Sequence, residues 1–216
     1  MRCAHPWRPC RGQSALQRHT ITLLALALGQ VSHAAAVEPP VRSWKAMRDA
    51  GVVRQQYDYS CGAAALATLL RHYYGEAVSE TDVLKQIAAK GPATLSTLSA
   101  AATHFGYEAR GYALSLEALR QINVPAIMFL HVGNDNHFSV LRSIDAHSVE
   151  LADPSLGNRI YSTTDFLRLW TTRLNRNSPG RALIVMPRDA RRAANPAFMR
   201  PIPARFAGLT LRPFRP

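Results

Sequence analysis

The chain has 216 residues, enough for one domain with a substantial core. Its formal charge of +12 is concentrated at the ends: residues 1–36 carry +4 and residues 188–216 carry +6, which leaves +2 for 37–187. The body is nearly neutral, so the composition argues against a fold built around nucleic acid.

The front of the chain reads as an export signal. Arg2, Arg8, Arg11 and Arg18 precede the apolar run Ile21–Leu28, and small residues follow in Ser32–Ala36. This predicts a signal peptide over 1–36, cleaved after Ala34 or Ala36, and a periplasmic mature protein. The alternative is an inner-membrane signal anchor, against which the run falls short of the about 20 residues of a membrane helix. Cleavage removes Cys3 and Cys10 and leaves Cys61 alone, so no internal disulfide is expected. Without Cys/His spacing of zinc-site type, neither a metal nor another cofactor is expected.

Residues 37–50, with Pro39-Pro40, read as a mobile lead-in. A polar, turn-like run over Gln55–Ser60 then delivers Cys61 to the start of an alanine-rich helix that extends to about Tyr74. Ser60 is the candidate N-cap and Gly75 the candidate stop. Leu66, Leu69, Leu70 and Tyr73 fall at helical spacing. A second helix starts at Ser79, with Asp82 completing a capping-box pattern, and ends near Gly91. A third covers about Ser96–Phe105 and stops at Gly106.

The second half is predicted to be mainly strands. Tyr107–Leu114, Val124–Leu130, His137–Ile144, Ser148–Asp153 and Arg181–Met186 read as strands, with an extended piece at Arg159–Tyr161. Short helices are expected near Leu116–Gln121 and Thr164–Trp170, and a turn at Gly133–Asn136. Helices first and antiparallel strands second is an α+β pattern. The Arg/Pro-rich tail, 188–216, reads as disordered. The alternative for its arginines is a weak contact with a membrane or an acidic partner.

Cys61 is the focus of the chemistry. A helix N-terminus carries roughly half a positive charge and stabilises an anion, and a thiolate is the nucleophile of cysteine enzymes. Such a nucleophile needs a base, drawn here from His72, His104, His131, His137 and His147. His137 opens a strand directly after a polar turn. A hairpin centred on Asp145 sets residue 137 opposite residue 153, with Cβ atoms about 5 Å apart. Asp153 is then placed to orient the His137 ring. The Gln55 or Gln56 amide and the Cys61 N–H are candidate oxyanion donors. Singly, each has a bland reading: Asp-Pro as a turn signal, a lone histidine as structural, paired glutamines as a solvated loop. Together they point to cysteine catalysis.

Four segments carry a family resemblance: Gln55-x5-Cys61-Gly62-x-Ala64-x-Leu66, Tyr73-Tyr74-Gly75, His137-Phe138-x-Val140-Leu141, and Asp153-Pro154 with Asn158 beyond. They resemble the bacteriocin-processing, double-glycine cysteine peptidases, papain-like domains usually fused to an ABC exporter. The resemblance covers about 50–187 and sets a peptidase domain at 51–187. It implies a helical layer against an antiparallel sheet, with the cleft between them. It implies Cys61 as nucleophile, His137 as general base, Asp153 as its orienting partner and Gln55 as oxyanion residue. It also implies a polypeptide substrate cut after a Gly-Gly pair. With an export signal and no transporter segments, the chain looks like the stand-alone exported members, some of which accompany secretion of functional amyloid or other surface polypeptides. The expected function is a periplasmic cysteine endopeptidase. The alternatives are a non-catalytic peptide-binding module of the same fold and a thiol amidase or acyl transferase, which shares the acyl-thioester chemistry.

Overall fold

The computed structural model describes residues 43–87 and 91–201. The signal peptide with its cleavage sites, residues 37–42 of the lead-in, and residues 202–216 of the tail lie outside the described residues.

Helix α1, Trp44–Arg48, is opened by Ser43, whose hydroxyl accepts from the Ala46 N–H at 3.2 Å. The end of the expected mobile lead-in is thus a capped helical turn. Helix α2, Cys61–Thr68, is buried along its whole length. Its alanines let it lie close against the sheet. A π-helical turn, Leu69–Tyr73, continues it, and Gly75 ends it in the left-handed region at φ 75°. Helix α3, Glu80–Gln86, has the expected capping box between Ser79 and Asp82. It stops short of Gly91 because Ile87 turns extended, with its side chain buried in the core. Helix α4, Leu95–His104, is capped by a reciprocal Thr94–Thr97 pair.

The remaining elements are β1 Tyr107–Leu114, α5 Leu116–Arg120, β2 Ala126–Val132, β3 Asp135–Ile144, β4 Ser148–Asp153, β5 Gly157–Ser162, α6 Thr163–Trp170 and β6 Gly180–Pro187. The six strands form one antiparallel sheet in the order β1-β6-β2-β3-β4-β5. Strand β2 begins after Pro125, which has no N–H to give to a ladder.

The sheet is buried on both faces. Successive residues point to opposite sides. Ile127, Val140, Leu183 and Val185 join Leu66, Leu69, Leu70 and Leu98 on the helical side. Met128, Leu130, Leu141, Leu151 and Ala182 meet Leu119, Phe166 and Trp170 on the other. Helices α5 and α6 therefore cover the second face. Phe166 stacks on Trp170 with ring centroids 5.3 Å apart. Trp170 donates its indole N–H to the Arg181 carbonyl at 2.9 Å. A Cβ on Gly180 would come within 2.0 Å of the Trp170 ring, so this close approach needs glycine.

Residues 188–201, expected to be disordered, are folded onto the helical side. Phe198, on the 3-10 turn Pro196–Met199, is 3% exposed and packs beside Tyr73. The Asn195 N–H bonds the Tyr73 carbonyl at 2.7 Å. Arg192 bonds Glu76 at 2.5 Å and lies over the Tyr107 ring, 4.9 Å from its centroid. Composition concealed this segment because one buried phenylalanine, worth about 1.5–3 kcal/mol, leaves no periodic signal.

Candidate active site

The polar run before α2 folds into a tight turn. The Ser60 N–H and hydroxyl both donate to the Tyr57 carbonyl, at 3.1 and 2.7 Å, and the hydroxyl accepts from the Tyr57 N–H at 3.1 Å. Ser60 thus holds the expected N-cap position, with its carbonyl accepting the Ala64 N–H at 3.0 Å, but its side chain closes the turn instead of bonding the helix N–H groups. Its hydroxyl is spent on Tyr57, so it does not occupy the helix N–H groups around Cys61. Cys61 is the first residue of α2, 7% exposed and not in a disulfide. Behind it, a Cβ on Gly62 would meet Ala93 Cβ at 2.7 Å and Phe138 Cδ2 at 3.2 Å. Glycine there lets the start of α2 lie against β3.

The His137 side chain hydrogen-bonds to Asp153 on one side, and Cys61 lies close enough to favour the charged form of the ring. The Asp153 contact runs from His137 Nε2 to Oδ2 at 2.7 Å, which leaves Nδ1 for the sulfur. Asp153 is 2% exposed and its carboxylate is surrounded by donors. Oδ2 also accepts from the Ser139 hydroxyl at 2.6 Å. Oδ1 accepts the N–H groups of Ser155 and Leu156, each at 2.8 Å. Burial alone would push the Asp153 carboxyl up. The hydrogen bond and charge of His137, with Ser139 and the Leu156 N–H, outweigh it and hold the group below its usual range. Burial likewise works against a charged His137 ring. Its hydrogen bond to Asp153 and the favourable influence of Asp153 and Cys61 prevail and push the ring up to about 10.

The pairing of His137 with Asp153 arises differently from the expected register. Val140 pairs with Ala152 and Ile144 with Val149, with a bulge between Leu141 and Ser143. The hairpin turn lies over Asp145–Ser148, and Asp145 is its first residue, accepting the His147 and Ser148 N–H groups at 2.7 Å. Extending the ladder past Val140–Ala152 sets Ser139, not His137, opposite Asp153. The expected register is thus off by two residues. An even shift keeps the same face of the strand, so His137 still reaches Asp153 diagonally.

Gln55 joins the site through the Asp153 turn. Its backbone N–H donates to the Pro154 carbonyl at 3.1 Å, and its Oε1 accepts from the Ser155 hydroxyl at 2.6 Å. Nε2 gives one hydrogen to the Tyr57 carbonyl at 2.9 Å and keeps a second. Gln56 is exposed and its backbone N–H turns away to Glu80. The other histidines lie elsewhere: His72 on the π-turn, His104 at the end of α4, His131 against Phe129, and His147 in the hairpin turn.

Two residues were missed from sequence. Ser139 was findable, because strand alternation sets it on the His137 face of β3. Ser155 carried no signal beyond following Asp-Pro; its link to Gln55 spans 100 residues of chain.

A profile of the Peptidase C39 family matches residues 49–175. The chain is 34% identical over 138 residues to a probable functional amyloid protease, FapD, of Pseudomonas aeruginosa, covering 60% of this chain and 61% of that protein's length. It is 30% identical over 173 residues to the Pseudomonas fluorescens protein of the same description, covering 72% of this chain and 76% of that one. Among solved structures, a double glycine motif protease from an AMS/PCAT transporter, in complex with its leader peptide, is 29% identical with a TM-score of 0.53, over 63% of this chain and 90% of that one. The peptidase domain of Streptococcus ComA, at 23% identity and a TM-score of 0.55 over 63% and 98%, shares the fold. The family match, the relatives and the papain-like α+β architecture agree, and the chain belongs to the Peptidase C39 family of cysteine peptidases.

Proposed function

We propose that the chain is an exported endopeptidase that cuts a secreted polypeptide through a thioester on Cys61, with Gly-Gly as the preferred pair before the scissile bond. The observation that carries this reading is the grouping of Cys61 with His137, whose ring is held by Asp153 at 2.7 Å. Asp153 holds the ring by Nε2 and stabilises its charged form. Nδ1 takes the Cys61 proton, and Sγ adds to the scissile carbonyl carbon. The oxyanion is received at the start of α2 by the Cys61 N–H and by the second Nε2 hydrogen of Gln55. When the intermediate collapses, the C–N bond breaks and His137 gives its proton to the leaving amine. Water, deprotonated by His137, then splits the thioester, releasing the acid and restoring the thiol.

The relatives named as functional amyloid proteases support an amyloid-type secreted polypeptide as substrate. The leader-bound relative supports a polypeptide with a Gly-Gly leader. The sequence pattern over 1–36 supports a periplasmic site of action. The test is to incubate the mature protein with peptides containing an internal Gly-Gly and, separately, with muropeptides, alongside the Cys61→Ala variant. Cysteine-dependent scission after Gly-Gly is expected. Turnover of muropeptides alone would replace this reading with the amidase one.

A further inference from the structure

Three guanidinium groups gather beside the Asp153 turn. Arg48 and Arg54 both pair with Asp49, at 2.9 and 2.8 Å. Arg54 also donates to the Ser155 carbonyl, in the turn whose N–H groups hold Asp153. Arg159 lies on β5, two residues beyond Gly157 and on the same strand face. That face meets α1, since a Cβ on Gly157 would come within 2.6 Å of the Arg48 carbonyl and 2.8 Å of Asp49 Oδ1. Gly157 is itself the β5 partner of Asp153. The cluster thus sits at the Asp153 end of the hairpin, one residue along the chain from Gln55.

The charges do not balance. Asp49 is shared by Arg48 and Arg54, while Asp153 is saturated by its own donors. The Nε atoms of Arg54 and Arg159 are buried with no hydrogen-bond acceptor among the described residues. A buried donor without an acceptor is costly. Burial works most strongly against the charged form of Arg159; Tyr161 and Asp153 favour that form, and the nearby charges of Arg48 and Arg54 oppose it. One more carboxylate would offset this excess of positive charge, and a guanidinium receives one through two parallel hydrogen bonds.

We propose that Arg159, flanked by Arg54 and Arg48, is a specificity subsite that receives an acidic side chain of the polypeptide substrate next to the His137–Asp153 pair. This rests on the peptidase reading above and adds a second recognition element to it. The polypeptide crosses the active site and lays a Glu or Asp against the arginine cluster, which fixes its register relative to Cys61.

The test is binding, so that it does not depend on turnover. Fluorescein-labelled peptides centred on Gly-Gly, with a single Glu moved stepwise along both flanks, are titrated by anisotropy into the full-length Cys61→Ala protein. Matched peptides carry Gln in place of Glu. At one register the Glu peptide binds about tenfold tighter than its Gln partner. Arg159→Gln abolishes that preference, Arg159→Lys retains part of it, and Arg54→Gln weakens it. Thermal unfolding of each variant establishes that it is folded. The proposal is overturned if no register distinguishes Glu from Gln, whether or not the peptides bind, or if the preference survives both Arg159→Gln and Arg54→Gln. Should the preferred Glu peptide bind as expected and yet resist cleavage by the Cys61 protein, the subsite stands and the Gly-Gly peptidase reading falls.

Discussion

Ser139, not His137, stands opposite Asp153 one step beyond the last β3–β4 pair, Val140–Ala152, and its hydroxyl meets the same carboxylate oxygen as the histidine ring, at 2.6 Å against 2.7 Å. One buried oxygen thus serves two side chains that stand two residues apart on one strand face. The arrangement makes Asp153 both an orienting group and a fixed point for the hairpin.

Replacing Asp153 separates those roles. Asp153→Asn keeps the shape and the contacts to the Ser155 and Leu156 N–H groups but no longer stabilises a charged His137. A fall in kcat of up to about 10⁴ is expected, as for the acid of a serine-protease triad. Asp153→Ala also strands the buried partners, at about 3–5 kcal/mol of stability. Steady-state kinetics and urea unfolding measured together would decide, and an Asn variant of near-normal kcat would remove Asp153 from the mechanism.

Ser139→Ala deletes one donor from Oδ2 and leaves His137 in place. A stability loss of about 1–2 kcal/mol is expected. Because Asp153 then holds its charge less firmly, the acid limb of the kcat/KM profile should move to higher pH. An unmoved limb with only the stability loss would make Ser139 purely structural.

The pH dependence of stability follows from the two shifted groups. His137 is raised from 6.5 to about 10, so its contribution is complete below pH 6.5 and is lost as the pH rises through about 10. Asp153 lies below its ordinary 3.8, so its contribution is complete above pH 3.8 and is lost as the pH falls through the lower native value. The pair stabilises the fold most between these limits. Melting curves of the native protein and Asp153→Asn should therefore differ most near pH 4–6.5 and converge at both extremes. Parallel curves across the range would show that the pair is not coupled to folding.

The segment after β6 has a measurable role. Phe198→Ala should cost about 3–5 kcal/mol, because the ring is 3% exposed and packs in the core. Activity well below the unfolding midpoint should be little changed, since Phe198 packs beside Tyr73 rather than Cys61. A chain ended at residue 187 that is as stable as the full one would show that the segment merely rests on the surface.

Local rules carried much of the structure. Cys61 opens its helix where a polar run meets an alanine run, the Ser79–Asp82 box starts α3, and Ser148–Asp153 spans β4 to the residue. These outcomes depend on neighbours within a few positions. Errors appeared where the partner is distant. Ser60 has the residue type of a cap, but the turn to Tyr57 takes its hydroxyl. The hairpin centre was misjudged because Asp145 binds its own turn from the first position.

The sequence by itself brought forward the residues of the candidate site: one cysteine at a helix start, a histidine near the start of a strand, an aspartate closing the next, and a glutamine six positions ahead of the cysteine. Parity made this robust, since a two-residue slip leaves every side chain on its face. Tertiary structure alone decided what supports those groups. Ser155 reaches Gln55 across 100 positions, Arg192 reaches Glu76 across 116, and the arginines of α1, β5 and the Gln55 approach gather at one turn. No local periodicity encodes such contacts, because they exist only once the hydrophobic core has fixed the elements against one another.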